Sequence, residues 1–369
     1  MEHMKRGYYI HFGARRGIGV DKKITTQIIA FRQHFDMQEI NVPINPRSFL
    51  RKIYEINPFV MGRKYDLEYV YQRIDNPSFV YIRLKPADKQ YMTMLKYFKE
   101  KYPRCVVIVE AATFPYDKEL SPEDILRDRY NRRHYKKYVD YFITYTDNDK
   151  IFDVPTIRIR NGVEVDDFKV VNSKCVPERI SLIAVSTMQP IHGYERVLYG
   201  LDDYYKKGGT RDIVIYMVGK GKELNYYKKI VSHKKLEKHV IFTGEQRGDK
   251  LDELYNMSDM VLTTFGFYKT GVKEASVLKS REALAKGLPV VNGITLDVFS
   301  GRETPYNLDF PNDSSKVDFF SIVDFYDKLY NNQSKANLAN KIHEFAKKEI
   351  DISVTFEPVI SLIQREIGG

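Results

Sequence analysis

Residues 259–291 read DMVLTTFGFYKTGVKEASVLKSREALAKGLPVV, and this stretch decides the fold. An apolar run at Met260–Thr264 precedes a glycine-containing loop, a helical pattern over Ser276–Lys286 and a second apolar run at Pro289–Val291. The pattern predicts a strand, a loop, a helix and a second strand, with Gly287 at the left-handed position that ends the helix. Such a unit is typical of a parallel sheet covered by helices.

The same alternation of short apolar runs and helical patterns extends along the whole chain and runs twice. Continuous apolar strands separated by helices indicate parallel sheets that are covered on both faces. We therefore predict an α/β fold with two doubly wound, Rossmann-like domains that face each other across a cleft. The predicted strands are Gly7–Phe12, Phe79–Leu84, Cys105–Glu110, Tyr141–Thr144, Thr156–Ile159, Ile180–Val185, Asp212–Val218, His239–Phe242, Met260–Thr264 and Pro289–Val291. The predicted helices are Lys22–His34, Lys89–Lys101, Asp124–Lys137, His192–Lys206, Lys222–Ser232, Asp249–Met257 and Ser276–Lys286.

The polar stretch Asn161–Pro177 has no periodicity and is the predicted linker between the two domains. The first domain is expected to span residues 1–165 and the second 166–353, lengths that agree with the usual ~100–200 residues per domain. A last helical pattern lies within residues 354–369, and the sequence leaves open whether it packs back on the first domain.

The composition excludes several classes of protein. The chain has 369 residues, of which 43% are hydrophobic, with 28 Tyr and 21 Phe, so it is too apolar and too aromatic to be disordered. No apolar run approaches the ~18 residues that a membrane helix needs, and Met1–Tyr9 is not followed by a signal-like core. Cys105 and Cys175 are the only cysteines, which argues against a disulfide framework or a zinc site and predicts a cytoplasmic location.

The net charge of +10 is concentrated in the first half of the chain. Residues 1–160 contain 30 Lys and Arg against 20 Asp and Glu, and the remaining 29 basic and 29 acidic residues cancel in 161–369. A basic face on one domain favours partners that carry phosphate, such as an anionic membrane surface or a polyprenyl diphosphate. The alternative is a solvated surface that aids solubility.

Glycine-containing loops follow several of the predicted strands. The segment after the first strand includes Gly17 and Gly19, which permit close backbone approach at the start of a helix, although it is not a GxGxxG motif. In the second half, Gly219 and Lys220 follow one strand and Gly244 follows the next. Because ligands bind beyond the carboxyl ends of parallel strands, we expect all five residues to contribute to donor binding.

Two glutamates bracket the predicted helix start in the deciding stretch. Glu274 lies in the loop before the helix and Glu282 lies within it, and other glutamate pairs at this spacing lack that context. The backbone N–H groups at Val277 and Leu278, together with Lys279, offer positive charge to a diphosphate. Carboxylates accept hydrogen bonds from hydroxyls, so the arrangement suits a nucleotide sugar.

At this segment the chain resembles the retaining GT-B glycosyltransferases of the family 4 type. The resemblance rests on Glu274-x7-Glu282 followed by Ala283–Val291, which is similar to the hallmark of that family. Four further segments are similar to its linker, its G-x-G-x-x-L turn, the strand that follows and a helix end, namely Ile159–Phe168, Val218–Leu224, Val240–Gly244 and Leu254–Asp259. Glu110–Glu119 and His192–Arg196 resemble a variant found in capsule and exopolysaccharide enzymes.

The resemblance implies the GT-B fold and a reaction without a metal or cofactor. A sugar is expected to pass from a nucleoside diphosphate sugar, with UDP expected as the nucleotide, to a hydroxyl of a glycan or lipid-linked acceptor with retention. Surface polysaccharide or glycoconjugate synthesis is the expected setting. In this reading Glu274 is catalytic and holds the donor sugar, while Glu282 holds the ribose.

The chain departs from the family pattern at three places. Where the family often has Gly-Arg after the first strand of the second domain, this chain has Ser186-Thr187, and His192 stands where a Lys is common. We expect His192 and Arg196 to contribute to donor binding, with Arg196 restoring the charge. Glu110 stands where a strand-end His commonly contacts sugar, so it is a second catalytic candidate. The alternative for Glu110 is a carboxylate paired with a basic neighbour.

Two motifs point to rival functions. Asp147-Asn148-Asp149 is a D-x-D that a divalent metal can use, but such runs more often form turns. The stretches Arg127–Tyr138 and Arg47–Tyr54 mix cations with tyrosines, which favours peripheral binding to the inner face of the cell membrane. No nucleic-acid motif accompanies them, so nucleic acid is not expected as a partner. Non-catalytic glycan binding, a partner subunit or a nucleotide-sugar epimerase are the alternative functions.

Overall fold

The chain forms two compact units in the structure, a computed structural model that describes residues 4–13, 18–46, 64–117, 120–176, 178–302 and 304–368. Unit 1 comprises Met1–Arg160 and Thr355–Gly369, and unit 2 comprises Asn161–Val354. The division after Arg160 lies five residues before the boundary predicted at residue 165. Gly17 and the basic stretch Arg47–Tyr54 lie outside the described residues.

Unit 1 is built on a seven-stranded sheet with the strand order β2-β1-β3-β4-β5-β7-β6, in which only the β6–β7 pair is antiparallel. Its strands are β1 Arg6–Phe12, β2 Asp36–Val42, β3 Phe79–Arg83, β4 Val106–Ala111, β5 Tyr141–Thr144, β6 Lys150–Ile151 and β7 Val154–Arg158. Its helices are α1 Ile18–Arg32, α2 Leu67–Tyr71, α3 Lys89–Lys101, α4 Pro122–Arg132 and α5 Tyr135–Tyr138, with α13 Glu357–Gly368 from the C-terminus.

Unit 2 is built on a six-stranded parallel sheet with the order β10-β9-β8-β11-β13-β15. Its strands are β8 Arg179–Val185, β9 Asp212–Val218, β10 Val240–Gly244, β11 Met260–Leu262, β13 Val290–Asn292 and β15 Asn307–Asp309; β12 Glu274–Ala275 and β14 Thr295–Leu296 pair separately. Its helices are α6 Tyr194–Lys206, α7 Leu224–Lys234, α8 Asp249–Met257, α9 Leu278–Ala285, α10 Phe319–Tyr330 and α11 Lys335–Ile350. The short α12 Ile352–Thr355 ends in unit 1, and 3-10 turns occur at Val165–Asp167, Pro190–His192 and Phe267–Lys269.

Each sheet has a point at which the strand order reverses. In unit 1 the chain builds outward in both directions from the neighbouring strands β1 and β3, and in unit 2 from β8 and β11. These orders are the flavodoxin-like and Rossmann arrangements, in which ligands bind beyond the strand carboxyl ends at the reversal point. The predicted fold class of two Rossmann-like halves is confirmed.

The burial of the strands explains which of them the sequence revealed. β4 is buried at every position, as expected for a central strand covered on both faces. β2 lies at the sheet edge and mixes buried with exposed residues, so its sequence DMQEINV has no continuous apolar run and was not predicted. The predicted helix Asp124–Lys137 is two helices, α4 and α5, because the chain turns at Arg133 and His134.

The C-terminal helix α13 belongs to unit 1. Phe356, the residue before this helix, packs against Phe31. The two rings meet edge-on, with their centres 4.8 Å apart. Near the end of α13, the Tyr141 hydroxyl donates to Glu366 at 2.9 Å. Across the described residues, we find no helix with both the length and the apolar character needed to cross a bilayer.

Candidate functional site

The first candidate site lies in unit 2, at the N-terminus of α9. Val277 precedes the helix in an extended conformation and carries no polar side chain that would cap it. The first backbone hydrogen bond of the turn runs from Ser280 N to Val277 O at 3.1 Å. The N–H groups of Leu278 and Lys279 therefore precede the hydrogen-bonded ladder and point toward the positive end of the helix dipole.

Glu274 and Glu282 flank this helix start along the chain. Glu274 is held in β12, which pairs with Thr295 and Leu296 of β14, rather than in the loop predicted from the sequence. Glu282 lies one turn after Lys279. Burial raises the pKa of Tyr255, and the charge of Glu282 raises it further. Both glutamates are half-buried and engaged in contacts within the structure.

Lys279 is the cation at the helix start. Its ammonium is half-buried, lies 3.4 Å from the carbonyl oxygen of Thr263 and stands 5.9 Å from the centre of the Tyr194 ring. Burial lowers the pKa of Lys279 to about 7, although the charge of Glu282 acts in the opposite direction. Because burial disfavours the charged form of Lys279, an anion bound nearby would strongly stabilise that charged form.

His192 lies next to Lys279 and stays neutral at physiological pH. Burial and, to a smaller extent, the charge of Lys279 lower the pKa of His192 to about 3. The N–H of Gln189 donates to Nδ1 of His192 at 2.9 Å, so the ring proton of the neutral tautomer is on Nε2. His192 is therefore a hydrogen-bond donor at this site and not a second positive charge.

Two loops form the reversal point between β8 and β11. The N–H of Phe265 donates to His192 O at 2.8 Å and the N–H of Gly266 donates to Ile191 O at 3.1 Å. The Tyr194 hydroxyl donates to Thr263 O at 2.9 Å, the same carbonyl that Lys279 approaches. The structure thus brings His192 and Lys279, both predicted from the sequence, to the carboxyl edge of the unit 2 sheet.

Gly219 sits where the loop after β9 crosses the loop after β8. Its φ is +122°, and a Cβ added there would lie 1.9 Å from Ser186 O. The Gly219 N–H also donates to Gly244 O at 2.8 Å, which fastens the ends of β9 and β10 together. Lys220 points outward and pairs with Glu245 at 2.7 Å. Gly219 therefore shapes the edge of the site, whereas Lys220 is exposed.

Replacing Gly219 with alanine is expected to destabilise unit 2 by roughly 2–4 kcal/mol, because the methyl group meets a backbone oxygen that cannot move away. Gly208→Ala is the matched control, since Gly208 also has a positive φ but no atom within 4 Å of its added Cβ. Urea denaturation of both variants measures the difference. Equal losses in the two variants would show that conformation, and not the close approach, determines the requirement for glycine.

The guanidinium of Arg196 donates its hydrogen bonds to backbone carbonyl oxygens. Arg196 is 2% exposed, and its guanidinium donates to Phe265 O at 2.8 Å, to Pro311 O at 2.8 Å and to Ser315 O at 2.5 Å. These carbonyls belong to the loops after β11 and β15, which Arg196 holds together. The geometry favours this structural role over the donor-binding role predicted for Arg196 from the sequence.

Arg281 contributes to the site in a structural role that the sequence did not predict. It is fully buried, forms an ion pair with Asp297, and donates to Asn161 O at 3.3 Å and to the Ser280 hydroxyl at 3.0 Å. The N–H of Asn161 in turn donates to the Ser276 hydroxyl oxygen at 2.9 Å. Arg281 therefore positions the start of α9. Arg281 is one of two cations on this helix, and its charge was the available signal in the sequence.

Glu110, the second catalytic candidate, is the centre of a buried ionic network in unit 1. The residue is 1% exposed, and its carboxylate forms ion pairs with Lys23 at 3.1 Å and Arg83 at 3.0 Å. It also accepts hydrogen bonds from the Tyr145 hydroxyl at 2.7 Å and from Gln27 at 3.3 Å. Burial alone raises a carboxyl pKa, but Arg83, Lys23 and these hydrogen bonds outweigh it and hold the pKa of Glu110 at about 2. The geometry supports the alternative left open by the sequence, a carboxylate paired with basic neighbours.

A cavity of about 1030 Å³ opens at the reversal point of the unit 1 sheet. It is lined by residues that follow β1 and β3 and by the first turns of α1, including Phe12, Gly13, Arg83 and Lys85. Gly19 lies in the first turn of α1, close in sequence to the lining residues Val20, Asp21 and Lys22. A cavity at such a reversal point is a preferred place for a ligand.

The D-x-D motif forms part of a turn. Asp147 forms an ion pair with Arg158 of β7, and Asn148 accepts a hydrogen bond from the Thr146 hydroxyl at 2.7 Å. Within the ranges that the structure describes, no group of three or more His, Cys, Asp or Glu side chains is arranged to hold a metal ion.

Comparison with known protein families finds a match for part of unit 2. Residues 171–297, which contain α9 and both glutamates, match the family of glycosyl transferases group 1. A comparison with curated proteins finds no match.

Several solved structures share the fold over the whole chain. Anabaena HepE in complex with UDP is 13% identical, with 98% of this chain and 100% of that chain covered and a TM-score of 0.63. A glycosyltransferase from Rickettsia africae is 11% identical, with 99% of both chains covered and a TM-score of 0.65. Sucrose-phosphate synthase from Thermosynechococcus elongatus is 12% identical, with 99% of both covered and a TM-score of 0.62. The fold is therefore GT-B, and together with the group 1 segment it supports a GT-B glycosyltransferase.

Proposed function

We propose that the protein transfers a sugar from a nucleoside diphosphate sugar to a hydroxyl group of an acceptor, with retention of the anomeric configuration. The observation that carries this proposal is the start of α9 at the reversal point of unit 2, where backbone N–H groups and Lys279 are flanked along the chain by Glu274 and Glu282. UDP is the proposed nucleotide, because similar structures of HepE were solved with UDP and with UDP-glucose.

The site stabilises the diphosphate as it leaves. The N–H groups of Leu278 and Lys279, the Lys279 ammonium and the Nε2–H of His192 are donors for its oxygens. These fixed donors oppose the negative charge that develops on the leaving group, so we propose a reaction that needs no metal ion. Glu282 accepts hydrogen bonds from the ribose hydroxyls, and Glu274 accepts hydrogen bonds from the donor sugar.

Retention defines how the bonds change. The bond between the anomeric carbon and the diphosphate oxygen breaks, and a bond to the acceptor oxygen forms on the same face of the sugar. The proton of the acceptor hydroxyl passes to the departing diphosphate, which carries the charge to accept it. The protein supplies orientation and charge stabilisation for this step.

Binding of UDP is expected to weaken as the pH rises above 7. The pKa of Lys279 is lowered to about 7, so its ammonium is charged below this pH and is progressively lost above it. Affinity should then fall by up to about tenfold per pH unit, until the pH reaches the higher pKa of Lys279 in the complex. Calorimetric titrations of UDP between pH 6 and pH 9 measure this slope, and a flat profile would contradict a role for the Lys279 charge.

The acceptor is proposed to be a glycan or a lipid-linked saccharide that binds unit 1, in surface polysaccharide or glycoconjugate synthesis.

Leu126 and Tyr130 of α4 are 66% and 42% exposed, and the guanidinium of Arg133 lies 4.2 Å from the centre of the Tyr130 ring. Exposed apolar and aromatic groups among cations suit an anionic headgroup layer. We therefore propose peripheral binding to the inner face of the cell membrane through α4.

Vesicle sedimentation tests this membrane proposal. Leu126→Asp with Tyr130→Asp is expected to reduce binding to phosphatidylglycerol vesicles at low salt by about tenfold or more, because two apolar contacts are replaced by repelling charges. The control is phosphatidylcholine, to which the wild-type protein should bind weakly. Equal binding to both kinds of vesicle, or no loss in the double variant, would contradict the proposal.

Thermal unfolding with nucleotides tests the proposed function. UDP at about 100 times its Kd stabilises a single-site protein by about 2.7 kcal/mol, and the same addition of uridine should have little effect. Hydrolysis of a UDP-sugar by the purified protein would separate an enzyme from a non-catalytic partner, and recovery of an epimerised nucleotide sugar would favour the epimerase. A protein that ignores all nucleoside diphosphates would contradict donor binding.

A further inference from the structure

The cavity of unit 1 presents groups that suit a saccharide. Asn41, Thr25 and Thr113 line it and offer hydrogen bonds to hydroxyls. Phe12 and Tyr65 line it as well, with ring centres 4.9 Å apart, and supply an apolar aromatic wall. At about 1030 Å³ the space accommodates a ligand of the size of an oligosaccharide end.

Several cations converge on the same cavity. Lys64, Arg83 and Lys85 line it, and the Lys85 ammonium is buried among the rings of Phe12, Tyr65 and Tyr91 at 5.6, 4.7 and 5.1 Å. Burial lowers the pKa of Lys85, the ion pair with Asp88 at 2.7 Å opposes this, and repulsion from Lys64 and Arg127 lowers the pKa further. Like charges that converge in this way are stabilised when an anion lies between them.

The residues that line the cavity also include the carboxylates of Asp21, Glu39 and Asp124, and two of these three have side-chain partners. Glu39 pairs with His11 at 2.9 Å, and Asp124 pairs with Arg127 at 3.3 Å. The ammonium of Lys85 has three donors and Asp88 accepts one of them. The positive groups therefore retain donor capacity for a ligand in the cavity, whereas these two carboxylates are partly satisfied.

Glu110 orients one of these cations. It accepts a hydrogen bond from Nη1 of Arg83 at 3.0 Å, while Arg83 itself lines the cavity. A guanidinium has five donors in a fixed planar fork, so a bond at one nitrogen determines where the others point. Glu110 is in this sense a positioning residue for Arg83.

We propose that this cavity binds a saccharide bearing an anionic group, a carboxylate or a phosphate, with the anion held by Lys85 and Lys64 and by Arg83 as positioned by Glu110. The saccharide is the acceptor if the proposed transferase function holds, and that assignment alone rests on the proposed function. An anionic sugar is preferred over a neutral one, because only an anion forms charge-assisted hydrogen bonds with the remaining donors of Lys85 and Arg83.

Ligand-observed NMR titration of the full chain tests the proposal with three probes: glucose, glucuronic acid and glucose 6-phosphate. Each is titrated with and without UDP, so that binding at the unit 2 site is recognised by competition. A charge-assisted hydrogen bond is roughly twice as strong as a neutral one, so the acidic sugars are expected to bind about tenfold or more tightly than glucose. Carboxylate and phosphate are compared by the two acidic probes.

Two variants and a control locate the binding. Lys64→Gln, at an exposed position on the cavity wall, and Lys85→Met should each reduce the preference for acidic sugars by about three- to tenfold. Lys96→Gln removes an equally charged side chain that pairs with Glu100 elsewhere on unit 1, and it should change nothing. All three should bind UDP as the wild type does.

Glucose bound as tightly as the acidic sugars would overturn the proposal, as would an acidic preference that persists in both variants. Acidic sugars displaced fully by UDP would also overturn it, since they would then occupy the unit 2 site. If UDP fails to bind while the acidic preference and its loss in the variants are observed, the anionic saccharide site stands and the proposed transferase function fails.

Discussion

Lys279→Met is expected to weaken binding of UDP by about 10- to 150-fold, the loss of one charge-assisted interaction with a phosphate. Methionine keeps the length and apolar stem of the side chain, so the packing against Tyr194 and Thr263 is largely retained. The turnover rate for sugar transfer should fall further, by about 10²–10³, because the charge on the diphosphate grows as it leaves.

The control for this variant is Lys229→Met, which removes a lysine from the exposed surface of α7. It should bind UDP and transfer sugar at the wild-type rate. Calorimetry gives the affinity, and steady-state rates with saturating donor give the turnover. If Lys279→Met and Lys229→Met had equal affinities, the helix start of α9 would not be the diphosphate site.

Glu110→Ala is expected to destabilise unit 1 by ~3–5 kcal/mol. The substitution leaves Lys23 and Arg83 without their common carboxylate in a buried environment, and an uncompensated buried charge is costly. Urea denaturation of unit 1 measures the loss. Glu100→Ala, which removes an exposed carboxylate paired with Lys96, should cost less than about 1 kcal/mol.

The same network predicts a loss of stability in acid. The folded-state pKa of Glu110 is lowered to about 2, below the ~4.3 of an unfolded chain, so its stabilisation is fully present above about pH 5. As the pH falls from about 5 to 2 the contribution of roughly 3 kcal/mol is lost. Glu110→Ala should therefore show a flatter stability profile across this window, and a parallel profile would contradict the buried ion pairs.

The sequence predicted most of the fold because central parallel strands are largely apolar. β4 and β8 are of this kind, and both were predicted to within a residue or two. β2 was missed because three of its seven side chains are exposed and polar residues interrupt its apolar ones. The two-residue strands β12 and β14 depend on a contact between distant segments, which no local pattern encodes.

The sequence predicted the candidate site only where a local strand–loop–helix pattern determines the position of a residue. The helix start at Val277 and the adjacent Lys279 follow from a strand–loop–helix pattern. The partners of Arg196 and Arg281 do not, because they are carbonyls and a carboxylate brought close by the tertiary fold. Charge alone suggested ligand binding for Arg196, whereas burial among backbone oxygens gives it a structural role.

A crystal structure of the chain with bound UDP tests the central claim most directly. We expect the diphosphate to lie over the first turn of α9, within hydrogen-bond distance of the N–H groups of Leu278 and Lys279, with the ribose hydroxyls on Glu282. A diphosphate bound in the cavity of unit 1, or anywhere that leaves the start of α9 empty, would contradict the account.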